Sequence, residues 1–359
     1  MLLVREVHPL KEGYANRNKR LSVLFFQKKI HMHIVLNSFG ASIRKENGLF
    51  AISTAKGKQL ITPRDITTIS VSKGARISSD AVLLAIDQEI DIMFVDGIGQ
   101  PKGRVWSIKY GSISDIRRKQ LVFLYSERAI PWVKDLVVEK LNNQVAMLLA
   151  LREECPPEVA LKFSNTIRKI EDYKTKIRQL EGDAIADIAP SLRGWEGAAA
   201  KRYFQSINWC LPSAYQYTKR SKHPATDWFN AMLNYGYGML YGKIEGALIK
   251  AGIDPYVGIF HRDDYNRPAL VFDVIEKYRI WIDYVVIQLC RQNAMSEECF
   301  RNEGGAMMLE GLGKRIVIQS VNDYLSEIIK IKGVERSRGF HIQRYAQQLA
   351  SFFLKGSSI

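Results

Sequence analysis

The chain has 359 residues, 47% of them apolar, and carries 52 Lys and Arg against 37 Asp and Glu, for a formal charge of +15. That length exceeds one ordinary hydrophobic core and favours two domains, while the apolar share excludes a largely disordered chain. The opening MLLVREVHPLKEG is too charged for a secretory leader and no apolar run reaches membrane-span length, so a cytoplasmic protein with no membrane partner is expected. An excess of base this large commonly accompanies a polyanionic partner, nucleic acid foremost.

Residues 1–20, with the polar run EGYANRNKR, are expected to form a mobile basic arm. Residues 21–103 read as a β-rich domain of short strands. His31–Asn37, Leu49–Ser53, Ile66–Val71 and Ile90–Val95 are rich in β-branched residues, and Gly40, Asn47–Gly48, Pro63 and Gly74 separate them as turn formers. Ser79–Gln88 reads as one short helix opened by a serine cap. Asp96–Gly103 (DGIGQPKG) is the domain boundary, after which residues 104–359 turn helical. Helical spacing recurs at Ser114–Arg128, Pro131–Leu151, Pro157–Glu181, Ala184–Ser191, Glu196–Cys210, Asp227–Lys250, Pro268–Gln292, Lys314–Ile331 and Ser337–Lys355. The class expected is α+β: a small mostly-β domain followed by a larger all-α one. Cys155, Cys210, Cys290 and Cys299 show no paired spacing, which argues against a zinc cluster or a disulfide framework and suits a reducing compartment.

Candidate chemistry concentrates in the helical half. Glu196, in GWEGAAAKRYF, is followed by Gly197 and three alanines, small residues that leave room for a large ligand. Lys201 and Arg202 lie a turn beyond, suited to phosphate oxygens. His261, in GIFHRDDYNRP, stands where a buried strand-like segment meets a polar loop, and can ligate a metal or shuttle protons. Asp273 and Glu276, in VFDVIEKYR, lie three apart on one predicted helix, so they share a face beside Arg279 and away from the stripe of Val271, Val274, Ile275 and Tyr278. Asp263 and Asp264 are rival ligands, although loop aspartates before a helix more commonly cap it.

Each of these has a bland reading when taken singly: a helix-start glutamate favoured by the macrodipole, a core histidine bonded to a carbonyl, a solvated acidic face. Converging, they make a mixed nitrogen and oxygen site suited to Mg²⁺ or Mn²⁺ rather than to structural zinc, and able to act on a phosphodiester. The loop Tyr217–Asp227, with Lys219, Arg220, Lys222 and His223, is either a phosphate clamp or a solvated loop. Asn230, Asn234, Tyr237 and Tyr241 form a helical stripe that suits nucleic-acid backbone and inter-helix packing equally. Lys201, Arg202, Arg220, Lys222, Asn230, Asn234, Tyr237 and Arg279 are thus the candidate nucleic-acid contacts. No serine or cysteine has His–Asp support, so no protein nucleophile is expected.

The ordered set GWEGAAAKRYF, KRSKHPATDWFNAMLNYGYGMLYG, GIDPYVGIFH and RPALVFDVIEKYR closely resembles the CRISPR adaptation integrase, the larger, metal-dependent CRISPR-associated protein that inserts new spacers. The likeness extends upstream through SVSKGARISSDAVLLAI and IMFVDGIGQPKGR; residues 1–20 match no part of the pattern. The resemblance implies an N-terminal β-sandwich, used for dimerisation, and a helical catalytic domain. It implies Glu196, His261 and Glu276 as metal ligands, with Asp273 as a further acidic position supporting the catalytic site. It implies a prokaryotic homodimer that grips a small, dimeric, ferredoxin-like adaptation subunit in a heterohexamer-type complex acting on double-stranded and branched DNA. The implied reaction is attack by a DNA 3′-hydroxyl on a phosphodiester at the repeat boundary, so the nucleophile belongs to the DNA. Many such proteins also act as endonucleases. The loop RDDYNR varies in length across the family and leaves the role of Asp263 and Asp264 open. Two other readings remain. A casposase, the related transposon integrase, shares this core but usually adds a C-terminal DNA-binding module, whereas this chain ends in GSSI soon after its last helix. A DNA-binding scaffold without catalysis is disfavoured because all four acidic and imidazole positions are present.

Overall fold

The structure, a computed structural model, describes residues 32–96, 101–105, 113–261 and 267–355. The expected arm at residues 1–20, Asp263 and Asp264, and part of the Asp96–Gly103 segment lie outside them. The described residues fall into two compact units, 32–105 and 113–355.

The first unit is built from strands β1 (Met32–Leu36), β2 (Ser42–Glu46), β3 (Leu49–Thr54), β4 (Gly57–Ile61), β5 (Ile66–Ser72), β6 (Arg76–Ile77), β7 (Asp91–Val95) and β8 (Pro101–Arg104), with one helix, α1 (Ser79–Asp87). They form two four-stranded sheets, ordered β1-β5-β7-β8 and β4-β3-β2-β6. Asn47 and Gly48, at φ 48° and 77°, supply the two left-handed residues of a tight hairpin, and Glu46 pairs with Leu49 across it. The inner faces of both sheets share one core: Ile34, Leu36, Ile69, Val71 and Ile92 from one sheet, Ile43, Phe50, Ile52 and Ile61 from the other. This is the expected sandwich. β2 (SIRKE) and β4 (GKQLI) escape the sequence pattern because each buries only one side chain, and their remaining residues are polar. Ser78, one residue before the expected cap, accepts from the Ala81 N–H at 3.3 Å to open α1.

The second unit comprises α2 (Ile113–Leu124), α3 (Ala129–Glu153), α4 (Pro157–Gln179), α5 (Ile185–Trp209), α6 (Trp228–Lys250), α7 (Ala269–Ile275), α8 (Arg279–Arg291), β9 (Phe300–Glu303), β10 (Ala306–Leu309), α9 (Gly311–Ser326), β11 (Ile328–Ile331), β12 (Val334–Ser337) and α10 (Arg338–Lys355). It is mostly helical, with two hairpins that helical periodicity does not reveal. The run expected as one helix to Ile331 stops at Ser326, and Lys332–Gly333, at φ 48° and 77°, turn the chain back. Conversely, the two helices expected around Ser191 and Glu196 are one. α5 continues through Pro190 because α3 and α4 bury its apolar face, and packing outweighs the local cost of proline.

α6 sits at the centre, apolar on most sides, against α7, α8, α9 and α10. Gly236 makes this possible. A Cβ there would lie 2.5 Å from Ile282 Cγ2, so α6 and α8 approach more closely than an alanine permits. Among the described residues no helix is long and apolar enough to cross a membrane.

The sandwich core depends on Phe50, which is fully buried between the sheets. Phe50→Ala is expected to remove about 3–5 kcal/mol from the strand-rich unit, read in the full-length protein as faster amide exchange across β3.

Candidate active site

A cavity of about 670 Å³ opens in the helical unit. One face of α5 lines it from Arg193 through Glu196, Gly197 and Lys201 to Asn208, following helical spacing. α3 contributes Lys140 and Gln144, the loop before α6 contributes Thr218 to Arg220 and Lys222, and the α7–α8 junction contributes Glu276 and Arg279. The small residues noted beside Glu196 act as expected: a Cβ added to Gly197 would meet nothing within 4 Å, so this stretch of wall is open.

His261 enters the cavity at the end of an irregular segment that follows α6. Gln120 of α2, fully buried, holds the start of that segment by donating to the carbonyls of Asp254 and Val257 at 2.8 and 3.0 Å. Asp273 holds its end. Its Oδ2 accepts from the N–H groups of Ile259 at 2.7 Å and Phe260 at 3.2 Å, and its Oδ1 accepts from the His261 N–H at 3.0 Å. The same Oδ1 lies 2.8 Å from His261 Nδ1, which fixes the ring and leaves Nε2 for the cavity. Burial opposes charge on this imidazole, but the bond to Asp273, with Glu276 and Glu196 nearby, holds its pKa above the ordinary histidine value. Gly258 permits the tight path, since a Cβ there would stand 2.5 Å from both the His261 carbonyl oxygen and Ala269 Cβ.

The single helix expected from Pro268 to Gln292 is broken. Lys277 and Tyr278 donate to the carbonyls of Val274 and Ile275, three residues back, and Tyr278, at φ −115° and ψ −5°, caps the separate helix that follows. Asp273 and Glu276 therefore divide their roles. Asp273 is wholly buried beneath residues 259–261, while Glu276, at the end of α7, reaches the cavity. Glu276 Oε1 accepts from Arg279 Nε at 2.8 Å, and Oε2 lies 2.6 Å from Lys140 Nζ without receiving a directed hydrogen bond. Lys140 also donates to Glu196 Oε1. One ammonium thus joins the two glutamates that the sequence singles out. Burial works against both charges, but Arg279 and Lys140 hold the Glu276 carboxyl well below the usual range, and Glu276 and Glu196 hold the Lys140 pKa above its ordinary value.

No set of three His, Cys, Asp or Glu side chains is gathered at metal-holding distance among the described residues. Two hard carboxylates nevertheless converge on one cationic point, in a cavity that His261 also lines. That donor set fits Mg²⁺ or Mn²⁺ better than a softer metal, with Lys140 in the place of the shared cation.

The amides of α6 are turned inward. Asn230, fully buried, and Asn234 accept from Arg220 Nη1 and Nη2 at 2.7 and 2.6 Å. Their amide groups donate to the carbonyls of Lys219 at 3.0 Å and Lys222 at 2.7 Å. In the structure the asparagines shape the basic loop and occupy the Arg220 guanidinium. Tyr237 donates to Asp283, and its ring carries the Arg279 guanidinium at 4.7 Å. Tyr241 packs on Phe272. Lys222 and Lys201 line the cavity, whereas Arg202 is exposed outside its wall.

Two residues were not singled out from sequence. Lys140 shares with Gln144 the buried stripe of α3 that includes Val133, Val137 and Leu148, and a lysine at such spacing was the available signal. Asp283 interrupts the apolar run IWIDYVVIQL and is buried, accepting from Tyr203 at 2.9 Å and from Tyr237. Burial raises its pKa to about 6, against the opposing pull of both hydroxyls and of Arg279 and Arg220.

Gly258→Ala is expected to destabilise the protein by about 1–3 kcal/mol, since the new methyl must displace backbone, and thermal unfolding reads this loss. For Asp283, a folded pKa above the unfolded value means that its contribution is most favourable at low pH and is lost as pH rises through about 6. Asp283→Asn is therefore expected to gain about 2–3 kcal/mol on the wild type between pH 4 and pH 7. Denaturant titrations of both proteins across that range measure the gain, and a pH-independent difference would contradict it.

Comparison with known proteins places the chain. Residues 34–323 match the family model described as CRISPR associated protein Cas1. A CRISPR-associated endonuclease Cas1 of Archaeoglobus fulgidus is 29% identical over 333 residues, covering 89% of this chain and 96% of the relative. A counterpart from Rhodospirillum rubrum is 27% identical over 340 residues, covering 92% of this chain and 96% of its own. Among solved structures, a Cas1 protein from Thermotoga maritima superposes at TM-score 0.75 with 18% identity, over 91% of this chain and 99% of that one. A casposase bound to integration product superposes at 0.76 with 20% identity, over 91% and 92%. A chain of a Cas6-RT-Cas1–Cas2 complex superposes at 0.75 with 21% identity, over 97% of this chain and 36% of that longer one. At these identities the structural likenesses speak for the fold alone, and it is the family match across most of the sequence that identifies the chain as a member of the Cas1 family of CRISPR-associated proteins.

Proposed function

We propose that the chain is the integrase of CRISPR adaptation, a divalent-metal-dependent enzyme that joins incoming DNA to the repeat array. The observation that carries this reading is the convergence of Glu196 and Glu276 on one cationic point, in a cavity walled by Lys201, Lys222 and Arg279, within a chain of the Cas1 family. Relatives named as endonucleases support a nuclease as well as a joining activity.

In the proposed reaction a 3′-hydroxyl of the incoming strand attacks a phosphodiester of the repeat. A new P–O bond forms as the attacking hydroxyl gives up its proton, the existing P–O bond breaks, and the departing 3′-oxygen takes up a proton. Glu196, Glu276 and the Nε2 of His261 are the groups that would hold Mg²⁺ or Mn²⁺. When bound, the metal supplies charge for the non-bridging phosphate oxygens. Asp273 acts as a positioning residue, presenting the imidazole with Nδ1 already engaged. Arg279, braced between Glu276 and the Tyr237 ring, and Lys201 and Lys222 offset phosphate charge along the cavity. Arg220 acts indirectly, because its guanidinium is bonded to Asn230 and Asn234.

The Cas1–Cas2 assembly in which a structural neighbour was solved supports a small adaptation subunit as partner, and the strand-rich unit is proposed to mediate homodimerisation. The casposase superposition is a likeness of fold and does not displace the CRISPR reading.

The test is strand transfer into a supercoiled plasmid bearing the cognate repeat, with and without the small subunit. Glu196→Gln, His261→Ala and Glu276→Gln are each expected to abolish transfer while retaining wild-type circular dichroism. Asp273→Asn is expected to lower it by about 10–100-fold, as loss of a ligand-orienting partner does. Chelator should stop the reaction yet leave salt-sensitive DNA binding in place. Full activity in His261→Ala, or transfer undiminished by chelator, would overturn the assignment.

A further inference from the structure

Lys140 is absent from the constellation that the sequence suggests, yet it makes the closest contacts within it. Its ammonium touches Glu196 Oε1 and stands 2.6 Å from Glu276 Oε2, with a side chain only 11% exposed. One turn along α3, Gln144 is 5% exposed and lines the same cavity, and its Oε1 is buried with no hydrogen-bond partner. Residues four apart on a helix stand side by side, so this orphaned acceptor lies within the sweep of the lysine side chain. An unpaired buried carbonyl oxygen is costly to maintain, and a second seat for the ammonium gives it a use.

We propose that Lys140 is a resident counter-cation of the glutamate pair, which must withdraw toward Gln144 Oε1 before a divalent metal can bind both carboxylates. The inference rests on the metal-dependent reading given above and deepens it. The charges explain why withdrawal is required. Glu196 and Glu276 are balanced by Lys140 and by Arg279, which bonds Glu276 Oε1 at 2.8 Å, so the group is neutral without metal. A divalent ion added beside an unmoved ammonium would meet a like charge at contact distance in a half-enclosed site. Lys140 therefore holds the two carboxylates together in the metal-free protein, and lowers their affinity for metal. A phosphate entering the cavity supplies the negative charge that a withdrawn ammonium can face, so DNA and metal should each strengthen binding of the other.

The test is Mn²⁺ binding to full-length, DNA-free protein, followed by electron paramagnetic resonance of free Mn²⁺. Lys140→Met is expected to bind Mn²⁺ at least about tenfold more tightly than wild type, because a like charge has been removed. Lys140→Arg, which keeps the charge, should remain near wild type. Gln144→Met should weaken Mn²⁺ binding in the wild-type background, where it removes the second seat, and have no effect in the Lys140→Met background. Unchanged or weaker binding by Lys140→Met overturns the inference while leaving the metal reading intact, since wild type still binds. If Lys140→Met does not fold, the Gln144→Met measurement decides, and wild-type affinity in that variant overturns the proposal. Failure of Mn²⁺ to bind any of these proteins overturns the metal reading and the inference together.

Discussion

The site depends on where one carboxylate is buried. Asp273 has no exposed surface, and a polar group in that position is accommodated by its hydrogen bonds: it accepts from the N–H groups of residues 259, 260 and 261 and pairs with the His261 ring. These bonds draw an irregular stretch of chain onto α7. That stretch carries no secondary structure of its own to fix His261, so the imidazole owes its place to this anchor, to Gln120 behind it, and to the absence of a side chain at Gly258.

Around that anchor the charges are layered. Glu196 and Glu276 form the innermost pair, Lys140 and Arg279 neutralise them, and Asp283 with Tyr203 and Tyr237 stands behind Arg279. Buried ion pairs of this sort contribute little net stability, because desolvation cancels much of their attraction. Their value here lies in pre-orientation. Arg279 is fixed by its bond to Glu276 on one side and by the Tyr237 ring on the other, so its guanidinium is held in one orientation at the cavity wall. The basic loop follows the same logic. Asn230 and Asn234 hold Arg220 and the carbonyls beside it, and the loop presents Lys222 to the cavity in a set position.

Much of the fold was legible in the sequence. Helices α3, α4, α6 and α10 follow their 3.6-residue patterns, and β1, β3, β5 and β7 follow their β-branched runs. What escaped was local pattern overruled by packing. Pro190 does not end α5, what reads as one helix breaks near Tyr278, and a helical pattern that runs on to Ile331 gives way after Ser326 to strand β11 (IIKI). The polar strands β2 and β4 were invisible because each shows a single side chain to the core.

For the site, the sequence alone determined the donor types and the basic surroundings, because these are properties of composition and motif. Only the tertiary structure decided which groups share a wall. It turned Asn230 and Asn234 inward, assigned Asp273 to holding the histidine, and brought Lys140 of α3 between two glutamates, one 56 residues distant and the other 136. Spacing along a helix predicts neighbours within a few turns, whereas contact between helices is set by how whole apolar faces pack, and no short stretch of sequence contains that information.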